Sequence, residues 1–272
     1  MVKVGGNKKT ALITGGSSGI GLAIAHELAA RGYNLLIISN QTEALSASKK
    51  QLESDYAVTC TTYNCDLTDP KAAQEIFQFT KERAIEVEIL VNNAGILIFS
   101  EVAELDDSRI QSILQLHVHT PVLLCKLFGK EMKRRQRGYI LNVASISAVM
   151  PYPGISLYGP TKTFLRYFTR SLRHEMKIYG ISVTCLLPGA TLTGLYDPNK
   201  INLNLALRTG IMQTPEFVAR KAIRAMLRKK PECIPGWINK LTVILLPLIP
   251  KSLICFIHKN TNILQKGKES LG

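Results

Sequence analysis

The chain predicts an α/β protein built on a doubly wound, largely parallel sheet with helices on both faces. Short apolar runs alternate with longer amphipathic stretches from residue 10 to residue 188. The short runs, such as "ALIT", "LLII" and "EILV", are continuous rather than alternating, which predicts strands buried on both faces. Strand–helix units of this length, repeated, imply the doubly wound arrangement.

The elements follow in order. "TALIT" (10–14) reads as a buried strand, and 19–31 as a helix with Ile20, Ala23, Ile24 and Leu28 on one face. Strand 34–39, helix 41–54, strand 57–63, helix 70–84 and strand 88–94 come next. One long helix is expected over 106–134, then strand 138–145, helix 157–179 and strand 182–188. Proline is well tolerated only in a helix's first turn, so Pro160 predicts that its helix begins at 156–157. Beyond 190 the pattern becomes loop-rich, with a helix near 215–230 and an apolar tail. The expected organisation is one domain: a core over 8–193, a substrate loop and helix over 194–235, and an apolar extension over 236–272.

Composition narrows the function. The chain has 272 residues, 46% hydrophobic and 20% charged, an ordinary globular profile. The N-terminus lacks the apolar run of a secretory signal, and no stretch reaches the ~18 apolar residues of a spanning helix. The 6 cysteines form no CxxC pair and read as reduced, which suits a cytoplasmic protein. His117 and His119 have no carboxylate or cysteine beside them, so no metal site is expected. The net charge of +14 fits phosphate-bearing ligands, an anionic membrane surface or nucleic acid. The basic clusters at 130–137 and 220–230 read as solvated helix faces. They lack interleaved aromatics, so nucleic acid is not expected.

The first chemical signal is "TALITGGSSGIG" (10–21). A strand runs into Gly15, Gly16, Gly19 and Gly21, and a helix follows. Backbone passing close to a pyrophosphate has no room for side chains, and the helix N-terminus offers free N–H groups. Its spacing is TGxxxGxG, and four further stretches follow in order: "CDLTD" (65–69), "NNAG" (92–95), "SISAVMPYPGISLYGPTK" (145–162) and "PGATLT" (188–193). Together these resemble the short-chain dehydrogenase/reductase family over residues 8 to 193, within the broad Rossmann-type class.

That resemblance implies a nicotinamide cofactor held by Gly15, Ser17, Ser18, Gly19, Ile20 and Gly21 in the first turn, and by Ser39 and Asn40 after the second strand. It adds Asp66 and Leu67 at the adenine, Asn93, Ala94 and Gly95, the pair Tyr158 and Lys162, and Pro188, Gly189, Thr191 and Thr193 over the nicotinamide. It also implies a homodimer or homotetramer packed through 106–134 and 157–179.

The implied catalytic residues are Ser145, Tyr158, Lys162 and His117. Tyr158 and Lys162 stand four apart on one helix face, where an ammonium favours the phenolate. Tyr158 then serves as general acid or base, and Ser145, with Ser147 as a weaker alternative, hydrogen-bonds the substrate oxygen. His117 stands where the family carries an asparagine that links the lysine, through a water, to a proton relay. It reads as a substitute relay residue, a satisfied structural histidine, or the mark of a degenerate site. The first reading carries the expectation that activity falls as His117 protonates near ~6.5.

At the end of the second strand, "SNQ" holds no carboxylate to repel a 2′-phosphate and no arginine to bind one. NADP is favoured over NAD. The apolar tail "IPGWINKLTVILLPLIPKSLICFIHK" (234–259) suits a pocket wall, a subunit contact or a membrane-surface segment. It resembles a subgroup that includes reductases of long-chain 3-ketoacyl and other lipid-like ketones. The sequence thus predicts an oxidoreductase acting on a carbonyl or alcohol of an apolar substrate. The rival is a non-catalytic dinucleotide-binding sensor or scaffold at a membrane surface, which would not need Tyr158 and Lys162.

Overall fold

The computed structural model describes residues 9–149, 151, 153–193 and 212–248. The stretch 194–211 and the tail beyond 248, which hold most of the expected substrate loop and apolar extension, lie outside the described residues.

Seven strands form one sheet: β1 (Thr10–Thr14), β2 (Asn34–Ser39), β3 (Cys60–Asn64), β4 (Val87–Asn92), β5 (Gly138–Val143), β6 (Ile181–Leu186) and β7 (Glu232–Cys233). Their order is β3-β2-β1-β4-β5-β6-β7, and every neighbouring pair is parallel. The continuous apolar runs are explained by what lies on either side. In β1, Ala11 and Ile13 join one core with α1 (Gly19–Ala29), α2 (Thr42–Asp55) and α7 (Pro215–Leu227). Leu12 points the other way, into a core with α3 (Ala72–Glu82), α5 (Thr120–Arg135) and α6 (Tyr158–Lys177). Leu12 and Ile13 are both 0% exposed. Each such aliphatic side chain contributes about 1.5–3 kcal/mol on burial.

Several boundaries differ from the sequence expectation. β3 starts at Cys60 rather than 57, because the chain turns tightly before it, with Val58 N–H donating to the Tyr56 carbonyl. β7 is only two residues long, too short to show a pattern, and it is held by its parallel register with β6. The α6 helix begins at Tyr158, one residue after the range Pro160 predicts, and Pro160 sits in its first turn. An unforeseen helix, α8 (Trp237–Leu245), follows β7.

The long helix expected over 106–134 is not continuous. It divides into α4 (Asp107–Leu114), a π-helical turn over Gln115–His119, and α5. The Thr120 N–H reaches back five residues to the Gln115 carbonyl. Pro121 explains part of this, since it has no N–H to give to the His117 carbonyl four residues earlier. Such turns insert an extra residue into a helix and are frequent at functional sites.

The sheet order reverses between β1 and β4, and a doubly wound sheet opens a crevice at that point. Here the two strand ends are laced together. The Thr14 hydroxyl accepts the N–H groups of Asn93 and Ala94, and donates to the Val91 carbonyl. The Asn93 side-chain amide donates to the carbonyls of Thr14 and Gly15. The resulting cleft is therefore rimmed by rigid strand ends.

Candidate active site

The glycine turn has the shape a bound pyrophosphate needs. Gly15 has φ +62°, and a Cβ there would meet the Ala94 backbone at 2.9 Å. Gly19 has φ +52°, and its missing side chain leaves room beside Thr193. α1 begins directly after Ser18 with no side chain capping its first N–H groups, so those donors are free for an anion. The turn is tied to β2, where the Ser17 hydroxyl donates to Ser39 Oγ at 2.9 Å and Gln41 N–H donates to the same oxygen at 3.2 Å. These features fit a nicotinamide dinucleotide.

The cleft encloses about 680 Å³. Of the residues the sequence assigned to the cofactor, Gly15, Ser17, Ser18, Gly19, Ile20, Ser39, Asn40, Asp66, Leu67, Asn93, Ala94, Gly95, Tyr158, Lys162, Pro188 and Thr193 line it. Gly21, Gly189 and Thr191 do not line it and stand behind or beside its wall. Gly21 lies behind the wall, where a Cβ would stand 2.1 Å from the Gly15 carbonyl oxygen. Gly189 lets the buried Asn239 of α8 approach, since its Cβ would meet that side chain at 2.3 Å. Thr191 is buried and its hydroxyl donates to the Gly189 carbonyl.

The structure adds residues the sequence could not assign, above all Arg109, Ser112 and Leu116. They recur at a spacing of three and four along α4 and its π turn, which puts one helical face on the cleft. Nothing local distinguishes that face in the sequence.

At the inner end of the cleft, Tyr158 is half-buried and Lys162 is buried below it, one helical turn on. The Lys162 Nζ lies 5.6 Å from the Tyr158 ring centroid and donates to the Val143 carbonyl at 3.3 Å. No carboxylate pairs with it among the described residues. Loss of hydration on burial lowers its pKa to about 8. Ser145 follows Val143 and Ala144, which line the cleft, and its hydroxyl oxygen accepts the Ser147 N–H at 3.1 Å. The Ser147 hydroxyl is enclosed by protein, which suits Ser145 better for a substrate oxygen.

His117 is engaged on both ring nitrogens. Nε2 accepts the Ile96 N–H at 3.0 Å, and Nδ1 lies 3.0 Å from the Thr161 hydroxyl, which itself donates to the Tyr158 carbonyl at 2.7 Å. This pattern requires the neutral ring with its proton on Nδ1. The ring meets that of Tyr158 edge-on, with centroids 5.6 Å apart. Gly95 makes the arrangement possible, since a Cβ there would stand 3.1 Å from His117 Nε2 and 3.2 Å from Lys162 Nζ. Neither nitrogen is left for a relay water. Of the three sequence readings, the satisfied histidine matches this geometry, in which His117 is linked to the Tyr158 backbone carbonyl through the Thr161 hydroxyl. His119 is exposed and paired with Gln115. No group of metal-ligating side chains occurs among the described residues.

The expected loss of activity on protonation of His117 then moves to lower pH than the ordinary ~6.5. Burial, and then the nearby Lys162 charge, push the His117 pKa well below 6.5. A histidine held neutral in the fold but free to protonate in the unfolded chain makes the unfolded chain bind more protons. Stability is then full above 6.5 and falls as pH drops toward the folded value, at up to about 1.4 kcal/mol per pH unit. Thermal unfolding followed from pH 7 down to about pH 5 is expected to show this slope, and His117→Asn to flatten it. Equal slopes in the two proteins would rule out a buried neutral His117.

Comparison with known proteins agrees with the geometry. Residues 9–203 match the family model described as short chain dehydrogenase. The chain is 30% identical over 270 residues to the very-long-chain 3-oxoacyl-CoA reductase-A of Danio rerio, covering 95% of this chain and 80% of that one. It is 33% identical over 204 residues to the 17-beta-hydroxysteroid dehydrogenase type 3 of Homo sapiens, covering 73% of this chain and 64% of the relative. Among solved structures it resembles the bulky-bulky ketone specific alcohol dehydrogenase of Comamonas testosteroni, with a TM-score of 0.75 at 26% identity over 90% of this chain and 96% of that one. A chain that shares the family's core sequence, its parallel sheet and its nucleotide cleft belongs to the short-chain dehydrogenase/reductase family and is an NAD(P)-dependent oxidoreductase.

Proposed function

We propose that this enzyme reduces the carbonyl of a bulky apolar ketone with NADPH, or oxidises the corresponding alcohol. The observation that carries the reading is Lys162. A lysine buried without a carboxylate is costly to keep, and such groups are characteristic of active sites. Its place under the ring of Tyr158 gives that cost a purpose. The ammonium favours proton transfer at the Tyr158 hydroxyl, and Ser145 at the end of β5 holds the substrate oxygen. The bound nicotinamide supplies the hydride. An apolar substrate is supported by the names of the relatives, which share a carbonyl or alcohol borne on a large apolar group. Turnover of NADPH is expected to favour long-chain and polycyclic ketones over short ones. Equal rates on both classes would count against the substrate class.

The preference for NADP gains support from Arg109. The end of β2 provides Ser39, Asn40 and Gln41 and no carboxylate. Arg109 supplies the cation that the sequence seemed to lack, reaching the same cleft from α4 as Asp66 and Thr68 do from the loop after β3. Its side chain makes no ion pair or hydrogen bond among the described residues, so a phosphate is free to take it. Arg109→Ala is expected to raise KM for NADPH by roughly tenfold, the effect of one exposed charge-assisted contact, and to leave KM for NADH almost unchanged. An equal effect on both cofactors would assign Arg109 to the adenine ring instead.

The expected homo-oligomer also remains a proposal. Phe164 and Tyr167 are exposed one turn apart on α6, and Phe164 stacks on Phe168, a face suited to a second copy.

A further inference from the structure

The exposed face of α8 is not explained by the fold or by the cleft. Trp237, Leu241, Ile244 and Leu245 are 70%, 47%, 65% and 53% exposed. Their spacing of four, three and one places them on a single stripe. Asn239, on the opposite side of the helix, is buried. It donates to the Pro235 carbonyl and fills the space left by Gly189. The helix is therefore held with its polar anchor inward and its apolar stripe toward solvent. Scattered exposed apolar residues are ordinary, but a contiguous stripe led by a tryptophan marks a contact surface.

Charge indicates what that surface meets. Between Glu232 and Glu269 the sequence contains no acidic residue, while it carries Lys240, Lys251, Lys259, Lys266 and Lys268. Lys240 is exposed and flanks the stripe on α8 itself. The chain as a whole has a net charge of +14. A second copy would bring two such basic segments together, whereas an anionic lipid surface neutralises them. Apolar side chains on one face of a helix with lysines beside them suit the headgroup–acyl boundary.

We propose that α8 docks the enzyme on an anionic lipid bilayer, with Trp237, Leu241, Ile244 and Leu245 entering the interface and Lys240 at the headgroups. The helix packs on the 3₁₀ turn Ile146–Val149, which directly follows Ser145. Docking by this face sets the substrate end of the site beside the membrane, from which an apolar ketone can enter without crossing water. That consequence rests on the proposed substrate class; the docking itself does not.

Sedimentation with vesicles tests the docking without any need for turnover. The full-length protein is mixed with phosphatidylcholine vesicles, with and without phosphatidylglycerol, at low and high salt. Wild type is expected to sediment with the anionic vesicles at low salt and much less with neutral ones. The triple substitution Trp237→Ser, Leu241→Ser, Ile244→Ser is expected to lower partitioning by at least roughly tenfold while NADPH binding is retained. Lys240→Glu is expected to weaken binding to anionic vesicles only. Wild type that stays in the supernatant, or a triple variant that sediments as well as wild type, overturns the proposal. So does a wild-type dimer that the triple variant dissociates, since the stripe would then belong to a second copy. A failure here leaves the reductase reading intact, and an inactive enzyme that still sediments leaves the docking intact.

Discussion

Replacing Tyr158 by phenylalanine is expected to lower kcat by roughly 10²–10⁴-fold, the usual contribution of a positioned general acid or base. The ring stays, and with it the edge-on contact to His117 and the packing over Lys162. Only the hydroxyl is lost, so cofactor affinity and Tm are expected to change far less than turnover. Steady-state rates with NADPH and a bulky ketone, set beside cofactor titration followed by fluorescence, make the comparison. Retained turnover would remove Tyr158 from proton transfer and assign that step to another group. The pH profile offers a second check, since Lys162 has a pKa of about 8. Its charge is present below that value and lost above it. The support it gives Tyr158 should therefore fade on the alkaline side, and Tyr158→Phe should erase that limb.

Gly21→Ala is expected to destabilise the fold far more than a glycine substitution in open space. Its Cβ would stand 2.1 Å from the Gly15 carbonyl oxygen, 2.5 Å from Asn93 Nδ2 and 2.8 Å from the Gly15 carbonyl carbon. Two of these are backbone atoms, and the third belongs to the lacing between β1 and β4. None can withdraw without opening the phosphate turn. Overpacking of this kind costs about 3 kcal/mol, a fall in Tm of roughly 6–12 °C for a domain of this size. Gly32→Ala is the control: φ there is +79° but nothing lies within 4 Å, so only backbone strain is added, about 1–2 kcal/mol. Calorimetry on both variants checks the order. If Gly32→Ala proved the more damaging, the close approach of α1 to the glycine turn would be wrong.

Much of the fold was legible because its signals are local. A strand covered on both faces shows as a continuous apolar run, and β1, β2, β4 and β6 were each found within two residues of their positions. The pairing of Tyr158 with Lys162 depends only on helical periodicity, and Pro160 bounded the start of that helix to within one or two residues. The glycine turn was equally plain, although its four glycines proved to differ in purpose. Gly15 and Gly19 line the cleft, Gly16 packs against Ile13 and Ile37, and Gly21 admits the Gly15 carbonyl.

By itself, then, the sequence determined the doubly wound class, the position of the nucleotide turn and the catalytic pair, since each is written within one or two turns of chain. Only the tertiary structure decided the state of His117, because its partners Ile96 and Thr161 lie 21 and 44 residues away. A ring that sequence spacing left open between relay, structural and degenerate readings is buried, with both nitrogens engaged. The break of the long helix at Gln115–His119, the arrival of Arg109 at the cleft and the placing of Gly189 against Asn239 belong to the same class. Each depends on which surfaces meet when helices close on the sheet, and burial then sets the charge states of His117 and Lys162, a property that distant packing creates and local pattern does not encode.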